Sequence, residues 1–202
     1  KKPNVAKLED LASALSIKSE KMYESQEWIR SGVESRAISP EEGKRISGIA
    51  DLDKRHQEAK NVENKRVVML AENYGLISAS EEKAALNSTA TTASKAKELS
   101  DAVWLKFDKM KAVEHAFGEG LIDKTQYTQI KKMNGEIFEK NVQNLWQFDK
   151  EFVIERDRLN GAVKSGKMSK DEAHKQLQFY KENFQVEQPG IWDKAKSYLG
   201  IK

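Results

Sequence analysis

Large apolar residues recur along this chain every three or four positions, the spacing of one face of a helix. Four times the pattern stops and restarts on the same short phrase: Ala37-Ile38-Ser39-Pro40-Glu41-Glu42, Leu76-Ile77-Ser78-Ala79-Ser80-Glu81, Leu121-Ile122-Asp123-Lys124-Thr125-Gln126 and Lys167-Met168-Ser169-Lys170-Asp171-Glu172. A glycine lies upstream of each: Gly32, Gly75, Gly118 with Gly120, and Gly166. Each phrase reads as a helix stop followed by a helix start. Glycine takes the left-handed conformation that ends one helix. Ser39, Ser78, Asp123 or Ser169 then caps the next, and the acid or amide three residues on can close a capping box. The apolar residue before each cap is placed as a hydrophobic staple.

These marks predict five helices. The first runs from about Val5 to Arg30, with Leu8, Leu15, Met22 and Ile29 on one heptad seam. Its companion seam is apolar only at Leu11 and continues as Lys18 and Ser25, so the stripe reads as a packing face. The second helix runs from Pro40, at the favourable first helical position, to about Tyr74. Its middle, Asp51 to Arg66, is almost wholly polar and reads as a solvated face held by opposite charges three and four residues apart. The third, Ala79 to Phe117, contains Asn87-Ser88-Thr89-Ala90-Thr91-Thr92-Ala93-Ser94, a patch of poor helix formers that reads as a kink, a break or a strip of close contact. The fourth, Lys124 to Lys164, carries the strongest apolar stripe, from Ile130 to Val163, and at ~1.5 Å per residue would be ~60 Å long. The fifth runs from Lys170 to about Phe184. Beyond it Pro189-Gly190 breaks the chain before a short amphipathic piece with Ile191, Trp192, Ala195 and Leu199.

The expected fold is therefore all-α: an elongated antiparallel bundle of long helices over residues 1–185, joined by short capped turns, then a linker and small C-terminal helix over 186–202. The caps recur at roughly 40 to 45 residues, a helical-repeat period. The sequences between them share no detailed similarity, so the recurrence reads as turn chemistry and not as a solenoid.

Composition agrees with thin helical layers. Of 202 residues, 38% are hydrophobic and 33% charged, which leaves little for a deep catalytic interior. A net charge of +3, from 35 basic and 32 acidic residues interleaved throughout, is a balanced surface and not a nucleic-acid footprint. Without cysteine there is no disulfide or thiol chemistry. No apolar run approaches the ~18 residues of a membrane span. The chain opens Lys1-Lys2-Pro3-Asn4 without methionine, which suggests a processed product or a piece of something larger.

Chemistry-bearing clusters are sparse. Asp53 stands three residues before His56 and Asp171 three before His174, a spacing that places carboxylate and imidazole on one helix face as in helical di-metal sites. Both pairs lie in polar surroundings, and the inward glutamates such sites require are not evident. Glu114, His115 and Glu119 sit where a helix C-terminus favours a cation, which accounts for the histidine without acid–base catalysis. The lysines Lys106, Lys109, Lys111, Lys131 and Lys132 form at most a weak non-specific basic surface, diluted by Asp108, Glu114 and Glu136. Trp28, Trp104, Trp146 and Trp192 read as packing residues. No catalytic, cofactor or metal residue is assigned, and no cofactor is expected.

The phrase Phe117-Gly118-Glu119-Gly120-Leu121-Ile122-Asp123-Lys124-Thr125-Gln126-Tyr127, with Gly166 to Glu172 and Trp192 to Gly200, resembles the helix-Gly-Ile-Ser/Asp-helix hairpins of bacteriophage virion proteins and short oligomerisation hairpins of bacterial proteins. That resemblance implies a helical virion component of the ejection, internal-core, portal-associated or tape-measure kind, and identifies no functional residue. The expected function is a non-enzymatic structural or assembly protein, cytoplasmic or virion-borne, that works through helix faces with protein partners and as a homo-oligomer. The alternative is an adaptor or inhibitor that binds a partner through the polar second helix or through Ile191, Trp192 and Leu199.

Overall fold

A computed structural model describes residues 5–188, and among these the chain is helical throughout, with no strand. The elements are α1 (Val5–Glu34), α2 (Pro40–Ser47), α3 (Leu52–Asn73), α4 (Ala79–Ala85), α5 (Thr89–Gly118), α6 (Lys124–Lys132), α7 (Gly135–Lys164) and α8 (Lys170–Glu182). The all-α bundle expected from the pattern is present. Three of the predicted helices, however, are each two. The second breaks after Gly48, and Asp51 restarts it by accepting the Lys54 amide. The third breaks before Ser88, whose hydroxyl accepts the Thr91 amide, so the poor helix formers from Asn87 open a helix and do not merely weaken one. The fourth breaks at Met133, where the backbone is extended, before Gly135 begins α7. A chain of long and short helices in alternation results.

The helices gather into two compact units. Unit 1 holds the residues up to 73 together with 77–103, and unit 2 holds 74–76 together with the residues from 104 on.

In unit 1, α1 and α3 run in the same direction. Lys21 meets Asp53 at 2.7 Å, Ser25 meets His56 at 3.3 Å, and Gly32 lies against Val62. The short α2 runs back between them: Arg45 reaches Glu58, and Arg55 reaches the Ser47 carbonyl. Reversal at the capped turn is thus made by the short helix, and the next long helix follows parallel to the first. Ile29, Ile38, Ile46, Ala59 and Val62 form the core, with Trp28, Val33 and Ile49 against it. The supposedly solvated middle of the second predicted helix is therefore a packed face. Its polarity misleads because the contact is made by small groups at close approach: a Cβ on Gly32 would lie 2.2 Å from Val62 Cγ1.

Unit 2 repeats the arrangement. From Trp104 on, α5 runs parallel to α7, with Lys109 paired to Glu139 and His115 4.0 Å from Asp149. Phe117 stacks on Tyr127 of α6, with ring centroids 4.9 Å apart. The longer α8 lies antiparallel to α7: Tyr180 donates to Glu151, Arg158 reaches Gln176, and Phe148 lies between Tyr180 and Phe184. Residues 183–188 return along α7, where Glu187 exchanges two hydrogen bonds with Asn141 and pairs with Lys140.

The four turns share one register. The left-handed residue is Arg36, Gly75, Gly120 or Gly166, each three places before its cap. Seven places before it stand Ile29, Val68, Val113 and Leu159, all buried. Two places after it come Ile38, Ile77 and Ile122, buried, and Met168, half-buried. Ten places after it come Ile46, Ala85 and Ile130, buried, and then Gln176, exposed. A degenerate repeat is therefore present at the turns although the helices between them differ in sequence. Its fourth copy departs from the others at the position that would face a following long helix.

Candidate interaction surface

The caps behave as the phrase predicts. Ser39, Ser78, Asp123 and Ser169 each accept the amide three residues on, and the last three close full capping boxes with Glu81, Gln126 and Glu172. The amide bonds hold the Glu81 and Glu172 carboxyls below the usual range. Two glycine assignments change. Gly32 is not the stop residue: it is a buried contact inside α1, and Arg36 takes the left-handed turn, with φ 62°. Gly118 ends α5 in helical conformation, and Gly120 takes the turn. Gly75 and Gly166 are left-handed as expected. Around Arg36, Gly120 and Gly166 the paired bonds of a Schellman motif are present, from residues 36 and 37 to the Val33 and Gly32 carbonyls and equivalently in the others. With their polar groups occupied by backbone, these residues carry no further chemistry.

The candidate chemical pairs come apart in the structure. Asp53 turns to Lys21, which holds its carboxyl below the ordinary range through a hydrogen bond and charge. His56 turns instead to Ser25, Glu24 and the ring of Trp28. Sequence reading missed this Ser25–His56–Glu24 group because its members lie on two helices. It lacks the geometry of a nucleophile: Ser25 is fully buried and its hydroxyl donates to the Lys21 carbonyl at 2.6 Å. His115 is exposed and faces Asp149, while Glu119 contributes a backbone carbonyl to Lys181. Asp171 and His174 are exposed on α8. Among the described residues no three histidines or acids gather as a metal would need.

The basic group also disperses. Lys109 pairs with Glu139, Lys111 pairs with Asp108, and Lys106 is buried. Lys106 is the other residue that sequence reading misplaced. Its ammonium donates to the Tyr74 and Met133 carbonyls and to Asn134 Oδ1, and it faces the Phe138 ring at 4.8 Å. Burial, reinforced by Lys132 and Lys131, pushes it down to about 8. Three acceptors favour the charged form in return. This is an internal strut and not a surface for phosphate.

Among the described residues the longest exposed run lies in the N-terminal half of α1. From Glu9 to Glu20 every residue is exposed, including Leu11 at 60% and Leu15 at 66%. Met22, one heptad beyond Leu15, is also exposed. Farther along the same seam Ser25, Ile29 and Gly32 are buried, where the core of unit 1 covers them. The uncovered stretch is thus the continuation of an occupied face. At the border Ala14, Ile17, Lys18 and Lys21 line a groove of about 400 Å³ with Asp51, Leu52 and Asp53 at the start of α3. Ile191, Trp192 and Leu199, the other expected partner residues, lie outside the described residues.

No helix among the described residues is long and apolar enough to cross a membrane. No protein-family model, curated protein or solved structure matches this chain.

Proposed function

We propose that this protein is a non-enzymatic structural or assembly protein that acts through its helix faces and associates with other protein chains. The observation that carries the reading is the seam Leu11–Leu15–Met22, left open on α1 in line with positions that are buried one turn further on. Leu11 and Leu15, exposed in heptad register on a stretch of α1 that no other described element covers, offer a surface for another helix. Ala59 and Val62 of α3 pack into the core of unit 1, while Asp53, Lys54, Gln57 and Lys60 stay exposed and are the face an adaptor would use. A virion component is the specific form we favour, supported by the resemblance of the turn phrases to phage hairpins; capsid, portal or tail genes beside this one are the expected neighbourhood. Light scattering over a micromolar concentration series tests the general reading. A mass that rises with concentration, or on addition of a partner chain, is expected; a monomer of 23.0 kDa under all conditions overturns it.

A further inference from the structure

The open seam of α1 has a counterpart at the other end of the repeat. Two heptads before the buried Val113 of α5 stands Leu99, and two heptads before the buried Leu159 of α7 stands Leu145. Both leucines are buried. Two heptads before Ile29 stands Leu15, in the same place on α1, and it is 66% exposed. The position that is covered in α5 and α7 is bare in α1; in the shorter α3 it is Lys54, a polar residue that is also exposed, whereas α1 leaves a leucine there.

At the fourth turn the complementary positions are bare. Ile46 and Ile49 of the first copy meet the first half of α3, and Ile130 and Met133 of the third are buried. Their equivalents after Gly166 are Gln176 and Phe179; Gln176 is exposed, and Phe179 is 69% exposed. Ile154, also 69% exposed, lies on α7 between Glu151 and Arg158. Those two residues reach Tyr180 and Gln176, so Ile154 and Phe179 flank the α7–α8 junction on one side. Residues 183–188 leave this side free, because they run along Asn141 and Asn144.

Resting on the assembly reading above, we infer that the N-terminal half of α1 docks against the α7–α8 junction of a second copy of this chain. The contact reproduces between molecules what the first and third turns make within one: a long helix, the short helix after its capped turn, and the leading half of the next long helix. Its two surfaces differ, so it is heterologous, and each bound copy presents a fresh surface for the next.

Two exposed-position variants test this by sedimentation velocity: a head variant with Leu11→Glu and Leu15→Glu, and a tail variant with Ile154→Glu and Phe179→Glu. The wild type should form a concentration-dependent series of oligomers. Each variant alone should remain at monomer mass, and their equimolar mixture should stop at a one-to-one pair of twice that mass. Because the chain has no cysteine, Leu15→Cys and Phe179→Cys proteins supply a second measurement: mixed under oxidation they should form the mixed disulfide, and Leu15→Cys alone should not dimerise. A tail variant that self-associates like the wild type, with a Leu15→Cys homodimer, overturns head-to-tail docking in favour of symmetric α1 pairing while the assembly reading stands. A wild type that stays monomeric overturns the docking; if no partner chain raises its mass either, the assembly reading falls with it.

Discussion

Lys106 and Asn134 hold each other in one orientation. The ammonium lies 2.7 Å from Asn134 Oδ1, and the Asn134 amide donates in turn to the Gly75 carbonyl at 2.7 Å. With the Tyr74 and Met133 carbonyls also on the cation, this arrangement ties the turn at Gly75 to the break between α6 and α7 inside unit 2. Lys106→Met keeps the volume but leaves buried acceptors without a donor, and each such group costs about 1–3 kcal/mol. We expect a loss of about 3 kcal/mol, read from the urea midpoint at unchanged slope.

The same residue sets a pH dependence of unusual sign. Native Lys106 releases its proton at about 8, whereas an ordinary lysine does so at 10.5. Below pH 8 both states are protonated and the burial penalty is fully present. Between 8 and 10.5 the unfolded chain binds more protons, so the contribution of Lys106 to stability rises with pH. Denaturation of the wild type and Lys106→Met in parallel should show the gap between them widening in favour of the wild type from pH 8 to 10. A constant gap would remove the assignment.

Gly32 and Gly118 should respond oppositely to alanine. A methyl at Gly32 meets Val62 at 2.2 Å, in a buried contact between α1 and α3, whereas a methyl at Gly118 meets nothing within 4 Å. Overpacking costs about 1–3 kcal/mol, which exceeds the ~1 kcal/mol helix preference of alanine. Gly32→Ala should lower the melting temperature, and Gly118→Ala should raise it or leave it unchanged.

Arg36 occupies with a side chain the left-handed conformation that glycine supplies at the other three turns. That conformation costs a non-glycine residue roughly 1–2 kcal/mol. Arg36→Gly should stabilise by about 1 kcal/mol, and Gly166→Ala should destabilise by a similar amount, both measured by chemical denaturation.

The helices and their starts were legible in the sequence because capping boxes are local: Ser78 with Glu81, Asp123 with Gln126 and Ser169 with Glu172 stand three residues apart and need nothing else. The extra starts at Asp51 and Ser88 lacked the reciprocal acid or amide, so they passed as helix interior. Arg36 hides the first stop, because it takes with a side chain the left-handed conformation that glycine signals, and Gly32 stands nearby. Ser25 with His56, and Lys106 with Tyr74, are separated by 31 and 32 residues, and no periodicity brings such pairs together. The parallel course of α1 and α3 was hidden for a related reason: Gly32, Ser25 and Ala59 make a tight contact while contributing almost nothing to hydropathy.

Lys106 is also a chemical clock for unit 2. Lys106 is only 4% exposed in a chain rich in lysine, and once uncovered it regains the proton affinity and reactivity of an ordinary lysine. Acylating reagents will therefore mark the surface lysines at once and Lys106 only as fast as the surrounding helices come apart. The time course of that one modification, followed by peptide mass, measures how often the turn at Gly75 lets go.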